Sequence, residues 1–332
     1  MQNAIKKISG MSGKHRLEER VSKLSLGTAQ LGMPYGVANR AGNLTPKAAR
    51  SIILAALEHG VRLFDTARAY GNSEEILGTV LGDKWRNCTK VVTKLSPLSD
   101  CAANASKEFV RSKVTASVDQ SLKCLRREKL DVILLHRAVH FRQWEGVAWE
   151  TLKELKAAGF IGELGVSIQS PEELDVAMVQ PGVDHVQLPF NILDWRWGSR
   201  IEKLRTMRRE RKFVVHGRSA LLQGLLTLGD EATWHRANVT HPSEIQRWLR
   251  NTASAHGFAG LAELCIAFVR SQDWIDHVVL GMETREQVDM NASLFALPPL
   301  NDQVLQDIMS GMPLLTEATL EPSRWKLQFQ EQ

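Results

Sequence analysis

Short runs of β-branched and aliphatic residues alternate along this chain with longer segments of helical periodicity, and the alternation occurs eight times. The runs that predict strands are residues 24–27, 62–65, 90–94, 130–136, 161–167, 185–188, 212–216 and 277–280. Strands that alternate with helices form parallel sheets, because each crossover helix returns the chain to the edge at which the previous strand began. Eight such units in 332 residues predict an α/β fold of one domain, the closed (β/α)8 or TIM barrel.

An open, doubly wound sheet is the main alternative to a barrel. Such a sheet usually carries a glycine-rich phosphate turn, GxGxxG, after its first strand. Here the first predicted strand leads into GTAQLGMPYG, which lacks that spacing, so the barrel is favoured. We predict an N-terminal extension over residues 1–22, the barrel over residues 23–311 and a C-terminal tail over residues 312–332.

Some helices have a start that can be read directly from the sequence. A hydroxyl residue followed by proline, as in Thr45-Pro46 and Ser170-Pro171, is typical of a helix N-cap with proline at the first helical position. Another helix is predicted from Trp144 to Ala158, with a glycine directly after it.

Composition excludes several classes of protein. The net charge is +5, from 42 basic and 37 acidic residues. The densest basic runs, KCLRREK and RTMRRERK, have helix-like spacing, which favours solvated helix faces over a nucleic-acid site. No run approaches the ~20 apolar residues that span a bilayer, and the N-terminus lacks the apolar core of a secretory signal. The cysteines have neither metal-ligand nor redox spacing, so we expect reduced thiols in a soluble, cytoplasmic protein. They are Cys88, Cys101, Cys124 and Cys265.

Polar residues end three consecutive predicted strands, where barrel enzymes carry their chemistry. Asp65 ends the second strand and Tyr70 lies in the loop beyond it, Lys94 ends the third strand and His136 ends the fourth. Taken singly, each has an ordinary explanation as a turn cap, a solvated strand end or a core histidine. Together they suggest one site.

These four side chains suit proton donation coupled to hydride transfer. A phenol is too weak an acid at neutral pH, with an ordinary pKa near 10, but a neighbouring ammonium stabilises the phenolate form. Lys94 can supply that ammonium, Asp65 can hold it, and His136 can orient a carbonyl oxygen while Tyr70 exchanges the proton. None of the four supplies a hydride, so a nicotinamide cofactor is implied.

FDTARAYGNSEEILG, KVVTKL and VILLH resemble the signatures of the aldo-keto reductase family, and the resemblance extends over residues 23–294. It implies a (β/α)8 barrel that uses NADP(H), or less often NAD(H), with Asp65, Tyr70, Lys94 and His136 as the catalytic tetrad. The implied cofactor-binding residues are Gly27, Thr28, Asp65, Ser167, Gln187, Arg218, Ser219, Leu221, Gly281, Glu283, Gln287 and Asn291.

Three positions depart from the family pattern. Ile168 stands where many members carry Asn, and Arg218 stands where an aromatic residue commonly stacks on the nicotinamide. Glu283 occupies the slot of the basic residue that grips the adenosine 2′-phosphate, although Arg285 is near enough in sequence to compensate. The family pattern favours NADP(H) and Glu283 favours NAD(H); weighed together, they narrowly favour NADP(H).

The expected substrate is the carbonyl or alcohol of a small polar molecule. FNILDWRWGSR and GRSALLQGLL resemble bacterial family members of sugar and polysaccharide pathways, which suggests carbohydrate metabolism. Loop aromatics could form a substrate wall or simply pack between loop and barrel. They are His140, Trp144, Trp195, Trp197 and Trp234.

Other functions remain open at this stage. A cofactor-binding sensor or regulatory subunit with little turnover is the alternative from another class. Net epimerisation, in which the cofactor is reduced and reoxidised in one cycle, is a variant of the enzyme hypothesis. A metal-dependent isomerase is disfavoured, because Lys94 lies between His136 and Asp65 and is a poor neighbour for a metal. The sequence does not indicate an oligomeric state.

Overall fold

The computed structural model describes residues 21–39 and 42–325. Eight parallel strands close into a barrel in chain order, so the predicted (β/α)8 fold is confirmed. The strands are β1 Leu24–Gly27, β2 Leu63–Asp65, β3 Lys90–Lys94, β4 Leu130–Leu135, β5 Ile161–Ser167, β6 His185–Pro189, β7 Val214–Arg218 and β8 His277–Gly281.

Helices cover the outside of this barrel. The α-helices are Ala29–Gly32, Pro46–Glu58, Ser73–Arg86, Lys107–Leu125, Val147–Ala157, Pro171–Val179, Ile201–Glu210, Glu231–Arg236, Pro242–Ala255, Leu261–Arg270, Arg285–Ala296, Asp302–Ser310 and Glu317–Leu320. Short 3-10 turns lie at Ala138–Phe141, Gln143–Gly146, Trp195–Arg200, Leu222–Thr227 and Pro322–Arg324. Both predicted proline starts are confirmed: Thr45 accepts from the Ala48 amide at 3.2 Å, and Ser170 accepts from the Glu173 amide at 3.4 Å.

Two predicted elements differ from the structure by more than one residue. The helix expected from Trp144 begins instead at Val147, because Trp144 and Glu145 adopt left-handed φ values of 51° and 56°. That turn buries the indole of Trp144, which donates to the carbonyl of Ala102 at 2.8 Å. Burial of a large aromatic here outweighs the helical propensity of the local sequence.

The other difference lies in the seventh strand, which was expected over residues 212–216. β7 spans Val214–Arg218, because its pairing with β6 runs from His185↔Val214 to Pro189↔Arg218. Register with the neighbouring strand therefore decides the boundary, and Arg218 becomes the last residue of the strand.

The barrel interior differs between its two sides. Leu63, Val92, Val132 and Leu134 form a small apolar cluster, separate from the large core between strands and helices. On the opposite side, Val186 and Leu188 face the outer core, so the alternating residues of β6 point inwards.

Neighbouring strands β6, β7 and β8 each contribute one histidine to a row, here called the histidine ladder. Its members are His185, His216 and His277. His185 Nδ1 lies 2.9 Å from His216 Nε2, and adjacent rings are 5.2 Å and 5.1 Å apart between centroids. Glu163 Oε2 lies 3.0 Å from His185 Nε2. Burial is the main cause that lowers the pKa of each ladder histidine, so the row is neutral at neutral pH.

The C-terminal segment packs against the barrel as far as it is described. Leu315, Leu320 and Trp325 belong to the main core, and the Trp325 indole donates to the carbonyl of Thr319 at 2.8 Å. Residues 1–20 and 326–332 of the predicted extension and tail lie outside the described residues. The division into extension, barrel and tail therefore stays a prediction.

The described residues contain neither a membrane-spanning helix nor a metal-binding cluster. Within residues 21–39 and 42–325, no helix is both long and apolar enough to cross a membrane. Over the same residues, no group of His, Cys, Asp and Glu side chains has a geometry suited to a metal ion. All four cysteines are free thiols.

Candidate active site

The strand ends bring Asp65 and Lys94 together inside the top of the barrel. Their side chains are 5% and 1% exposed, and Lys94 Nζ lies 2.7 Å from Asp65 Oδ1. The ammonium also donates to the carbonyl of Thr66 at 3.0 Å. Burial alone lowers the pKa of Lys94, but the Asp65 carboxylate and then Tyr70 outweigh that effect and raise the pKa above its ordinary value. Lys94 is therefore a permanently charged group beneath the site.

Tyr70 lies above this ammonium, in the loop after β2. The centroid of its ring is 4.9 Å from Lys94 Nζ. The loop is pinned by a close backbone approach at Gly71, which has a φ of 54°: a Cβ there would lie 2.2 Å from the carbonyl oxygen of Gly32. Only glycine fits that contact, so the sequence after Tyr70 helps to fix the phenol over the lysine.

His136 completes the group as the residue directly after β4. Its ring lies edge-on to that of Tyr70, with centroids 6.3 Å apart and an interplanar angle of 88°. Burial, followed by the charge of Lys94, lowers the pKa of His136 to about 4. A neutral imidazole has one N–H to donate, and His136 Nδ1 has no hydrogen-bond partner among the described residues.

A cleft of about 320 Å³ opens beside Tyr70. Most predicted cofactor-binding residues line it, namely Gly27, Thr28, Asp65, Arg218, Ser219, Leu221, Gly281, Glu283, Gln287 and Asn291. Of the other predicted site residues, Lys94, Ser167 and Gln187 are buried around the cleft floor, and His136 contacts Tyr70.

Gln187 contacts Asp65, which lines the cleft, and carries an unsatisfied acceptor. Its amide donates to Asp65 Oδ2 at 2.6 Å, which leaves Oε1 as a buried acceptor with no hydrogen-bond partner among the described residues. Ser167 is the register partner of Gln187 on β5. A buried acceptor of this kind is costly unless a ligand satisfies it, and the N–H groups of a carboxamide would do so.

The far end of the cleft carries a negative charge. Glu283 lines this end of the cleft and forms no ion pair among the described residues. Its backbone amide donates to Gln287 Oε1 at 2.7 Å. Burial raises the pKa of Glu283. Arg285 does not line the cleft, because its guanidinium pairs with Glu58 on the neighbouring helix.

The segment after β7 forms one wall of the cleft and has an unusual backbone. Ser219, Leu222 and Gln223 have φ values of 63°, 47° and 56°, a region that costs energy for residues other than glycine. These angles turn the chain sharply after Arg218. The half-buried guanidinium of Arg218 donates to Ser219 Oγ at 3.3 Å and to the Ile168 carbonyl at 3.2 Å.

Sequence reasoning missed the opposite wall, formed by the loop after β1. Tyr35, Gly36 and Asn39 line the cleft, and the amide of Val37 donates to the carbonyl of Gln223 at 3.1 Å. Burial, then the neighbouring Tyr70, raises the pKa of Tyr35. A signal was present: the chain has only two tyrosines, and both line this cleft.

The loop tryptophans pack rather than form a wall of this cleft, which none of them lines. Trp197 and Trp234 are fully buried and donate to Asp194 and to the Leu228 carbonyl. Trp195 is 41% exposed, but its indole donates to the Leu315 carbonyl. His140 is buried beside the Trp144 ring, with centroids 5.5 Å apart.

The chain is similar in sequence to known proteins. Aldo-keto reductase YhdN of Bacillus subtilis is 28% identical over 208 residues, which are 62% of this chain and 60% of that protein. An aldo-keto reductase of Mycolicibacterium vanbaalenii is 31% identical over 153 residues, 44% of this chain and 51% of that protein. The chain thus aligns with roughly half to three fifths of the length of these relatives.

A solved structure supports the fold over almost the whole chain. The holo form of aldo-keto reductase AKR11C1 from Bacillus halodurans superposes with a TM-score of 0.69 at 20% identity, and the match covers 90% of this chain and 95% of that one. The family model described as the aldo/keto reductase family matches residues 23–310. Barrel, strand-end residues and family model therefore agree: the chain belongs to the aldo/keto reductase family.

Proposed function

We propose that this protein is an NAD(P)-dependent oxidoreductase that interconverts a carbonyl and an alcohol on a small polar molecule. The observation that carries the proposal is the buried Lys94 ammonium, held by Asp65 at 2.7 Å and lying 4.9 Å from the Tyr70 ring centroid. A charge buried this deeply is retained only with compensation, and here it lies directly beneath the phenol of Tyr70, which could exchange a proton with substrate.

Each residue has a distinct role in the reduction direction. The neutral His136 donates its N–H to the carbonyl oxygen and orients it, while the nicotinamide cofactor supplies the hydride when bound. Negative charge that develops on the oxygen is neutralised by the proton of Tyr70. Lys94 stabilises the phenolate that remains, and Asp65 keeps Lys94 in place. Oxidation of an alcohol follows the same path in reverse.

We infer that NAD(H) is the better cofactor, although the sequence, with its resemblance to the family, narrowly favours NADP(H). Glu283 lines the far end of the cleft, and the one nearby cation in the sequence, Arg285, is paired with Glu58. A carboxylate facing a 2′-phosphate repels it, whereas the two hydroxyls of an unphosphorylated ribose can donate to it.

The proposed partners are small molecules alone, in a cytoplasmic setting. A sugar or sugar derivative remains the preferred substrate class on the resemblance of FNILDWRWGSR and GRSALLQGLL to sugar-pathway members. Polar residues on the cleft walls, such as Asn39 and Gln223, are consistent with a hydroxylated substrate.

The decisive test is Tyr70→Phe. Turnover of a carbonyl panel should fall about 100-fold or more, while NADH affinity and the melting temperature stay near the wild-type values. Retained turnover would remove Tyr70 as the proton donor. Tight cofactor binding without turnover in the wild type would instead favour the regulatory-subunit alternative.

Cofactor choice is tested by Glu283→Gln, with fluorescence titration of NADH and NADPH. Removal of the charge should improve NADPH binding about tenfold, the effect of roughly 1.4 kcal/mol, and leave NADH binding less changed. Glu286→Gln is the matched control, since Glu286 lies in the first turn of the helix that follows Glu283 but is exposed and does not line the cleft. An equal effect in both variants would show that Glu283 does not set the preference.

A further inference from the structure

Among the described residues that line the cleft, Arg218 is the cation whose charge no carboxylate neutralises. The acidic side chains that line the cleft are Asp65 and Glu283. Asp65 is committed to Lys94 through the 2.7 Å ion pair, and none of the ion pairs among the described residues includes Arg218 or Glu283. The catalytic end of the cleft is thus left with one net positive charge, on a half-buried guanidinium.

The hydrogen bonds of Arg218 leave most of its capacity unused. A guanidinium has five N–H donors, and among the described residues Arg218 spends one on Ser219 Oγ and one on the carbonyl of Ile168. Both acceptors are neutral, and both contacts, at 3.3 Å and 3.2 Å, are at the long end for such bonds. These two contacts fix the plane of the guanidinium without satisfying its charge.

Arg218 lines the same cleft as Asp65, Tyr70 and Tyr35. Burial is the largest cause that lowers the pKa of His136, but Lys94 and Arg218 also contribute to it. Arg218 likewise opposes the burial that raises the pKa of Tyr35. Arg218 therefore acts on a group that would orient the carbonyl and on a hydroxyl of the opposite wall.

The backbone around Arg218 is built to hold it there. Arg218 ends β7, where it pairs in register with Pro189, and Ser219 turns away at a φ of 63°. Strained backbone persists only where the surrounding structure enforces it, and it concentrates at functional sites. The strained residue, Ser219, directly follows Arg218 in the chain.

We propose that Arg218 binds a carboxylate of the substrate, so that the natural substrate is a small carbonyl or hydroxy compound that also carries an acid group. Planar carboxylates match the fork of a guanidinium and form two charge-assisted hydrogen bonds with it. A single uncompensated positive charge beside neutral donors such as the Tyr35 hydroxyl matches a monoanion. This proposal deepens the oxidoreductase function proposed above and rests on it for the identity of the reacting group.

The test compares oxamate with oxamide, two inert and nearly isosteric compounds of which only oxamate carries a carboxylate. Their affinities are measured by calorimetry on the NADH-loaded protein. Wild type should bind oxamate about tenfold to hundredfold more tightly, the range expected for hydrogen bonds to a charged group. Arg218→Met should abolish that preference, whereas Arg218→Lys, which keeps the charge but not the fork, should retain part of it.

Arg211→Met is the matched control, because Arg211 is also half-buried and hydrogen-bonded to a backbone carbonyl but lies outside the cleft. It should leave the oxamate preference unchanged. Equal affinity of wild type for the two compounds would overturn the proposal. So would an Arg218→Met variant that keeps the preference but loses NADH affinity, which would assign the guanidinium to a cofactor phosphate.

Binding of these inert compounds does not depend on turnover, so this result is separate from the Tyr70→Phe test. Loss of the oxamate preference in Arg218→Met, together with retained activity in Tyr70→Phe, would sustain the anion site and reject the proposed proton donor. Absence of the oxamate preference in the wild type, together with an inactive Tyr70→Phe, would reject the anion site and sustain Tyr70 as the proton donor.

Discussion

Replacement of Asp65 by Asn should destabilise the fold as well as the chemistry. Asp65 accepts from Lys94 at 2.7 Å and from the Gln187 amide at 2.6 Å. An asparagine has one side-chain oxygen for these two donors. Its own NH2 group would then face the donor that is left without an acceptor. It also leaves the Lys94 ammonium buried without a counter-charge. Removal of one partner from a buried ion pair typically costs about 3–5 kcal/mol, and we expect a loss of this size in the free energy of unfolding at pH 7.

The pH dependence of that loss has a definite sign. In the wild type, Asp65 raises the pKa of Lys94 above its ordinary value; in the variant, only Tyr70 opposes the effect of burial, and we expect the pKa to fall below its ordinary value. Between the folded and unfolded pKa values the unfolded chain then binds more protons, so the stability of the variant rises with pH. The difference between variant and wild type should therefore be largest near neutrality and smaller towards pH 10.

Urea unfolding of both proteins at pH 7 and pH 9.5 measures this difference. Asp175→Asn serves as the control, because Asp175 pairs with Arg200 and Lys203 at a largely exposed site, where such pairs contribute about 0–1 kcal/mol. A loss for Asp65→Asn no greater than for Asp175→Asn, or one that grows with pH, would refute the account of Lys94 as a charge that depends on Asp65.

Three further outcomes follow from local structure. Gly165→Ala should cost about 1–3 kcal/mol or more, the range for overpacked cores, because its Cβ would lie 2.2 Å from the carbonyl oxygen of His185; an unchanged urea midpoint would contradict this. Burial lowers the pKa of His140 to about 4, so stability should fall as pH drops from about 6.5 towards 4, by at most about 3 kcal/mol for this group, and His140→Phe should flatten that slope in urea titrations. Burial raises the pKa of the Cys265 thiol to about 12; iodoacetamide at pH 8 should therefore label the exposed Cys88 and spare Cys265 until the protein unfolds.

Features that repeat along the chain could be predicted from sequence, and features set by contacts distant in sequence could not. The barrel follows from the alternation of strands and helices, and the grouping of Asp65, Lys94 and His136 follows because strand ends meet at one face of a barrel. The start of the helix after Trp144 was mispredicted, since burial of that indole against residue 102 is a tertiary contact. Nothing in the local pattern reveals it.

Within the candidate site, the direction of individual side chains could not be predicted from sequence. Sequence spacing left Arg285 able to reach the far end of the cleft, and only the structure shows it paired with Glu58. Tyr35 was overlooked for a similar reason, because the loop after β1 returns to the cleft through a contact with Gln223 that is remote in sequence. The roles assigned to the predicted site residues stay predictions, which the variants described above test.

The contact between the two walls of the cleft has a consequence for how this protein could diverge. The walls meet through backbone: the Val37 amide donates to the Gln223 carbonyl, and a Cβ at Gly224 would come within 2.5 Å of the Ala38 Cβ. The width of the cleft is thus set by main-chain atoms and two small residues. Side chains that project from these walls can change without altering that width, so new substrates can be acquired by point substitution while the groove itself is inherited intact.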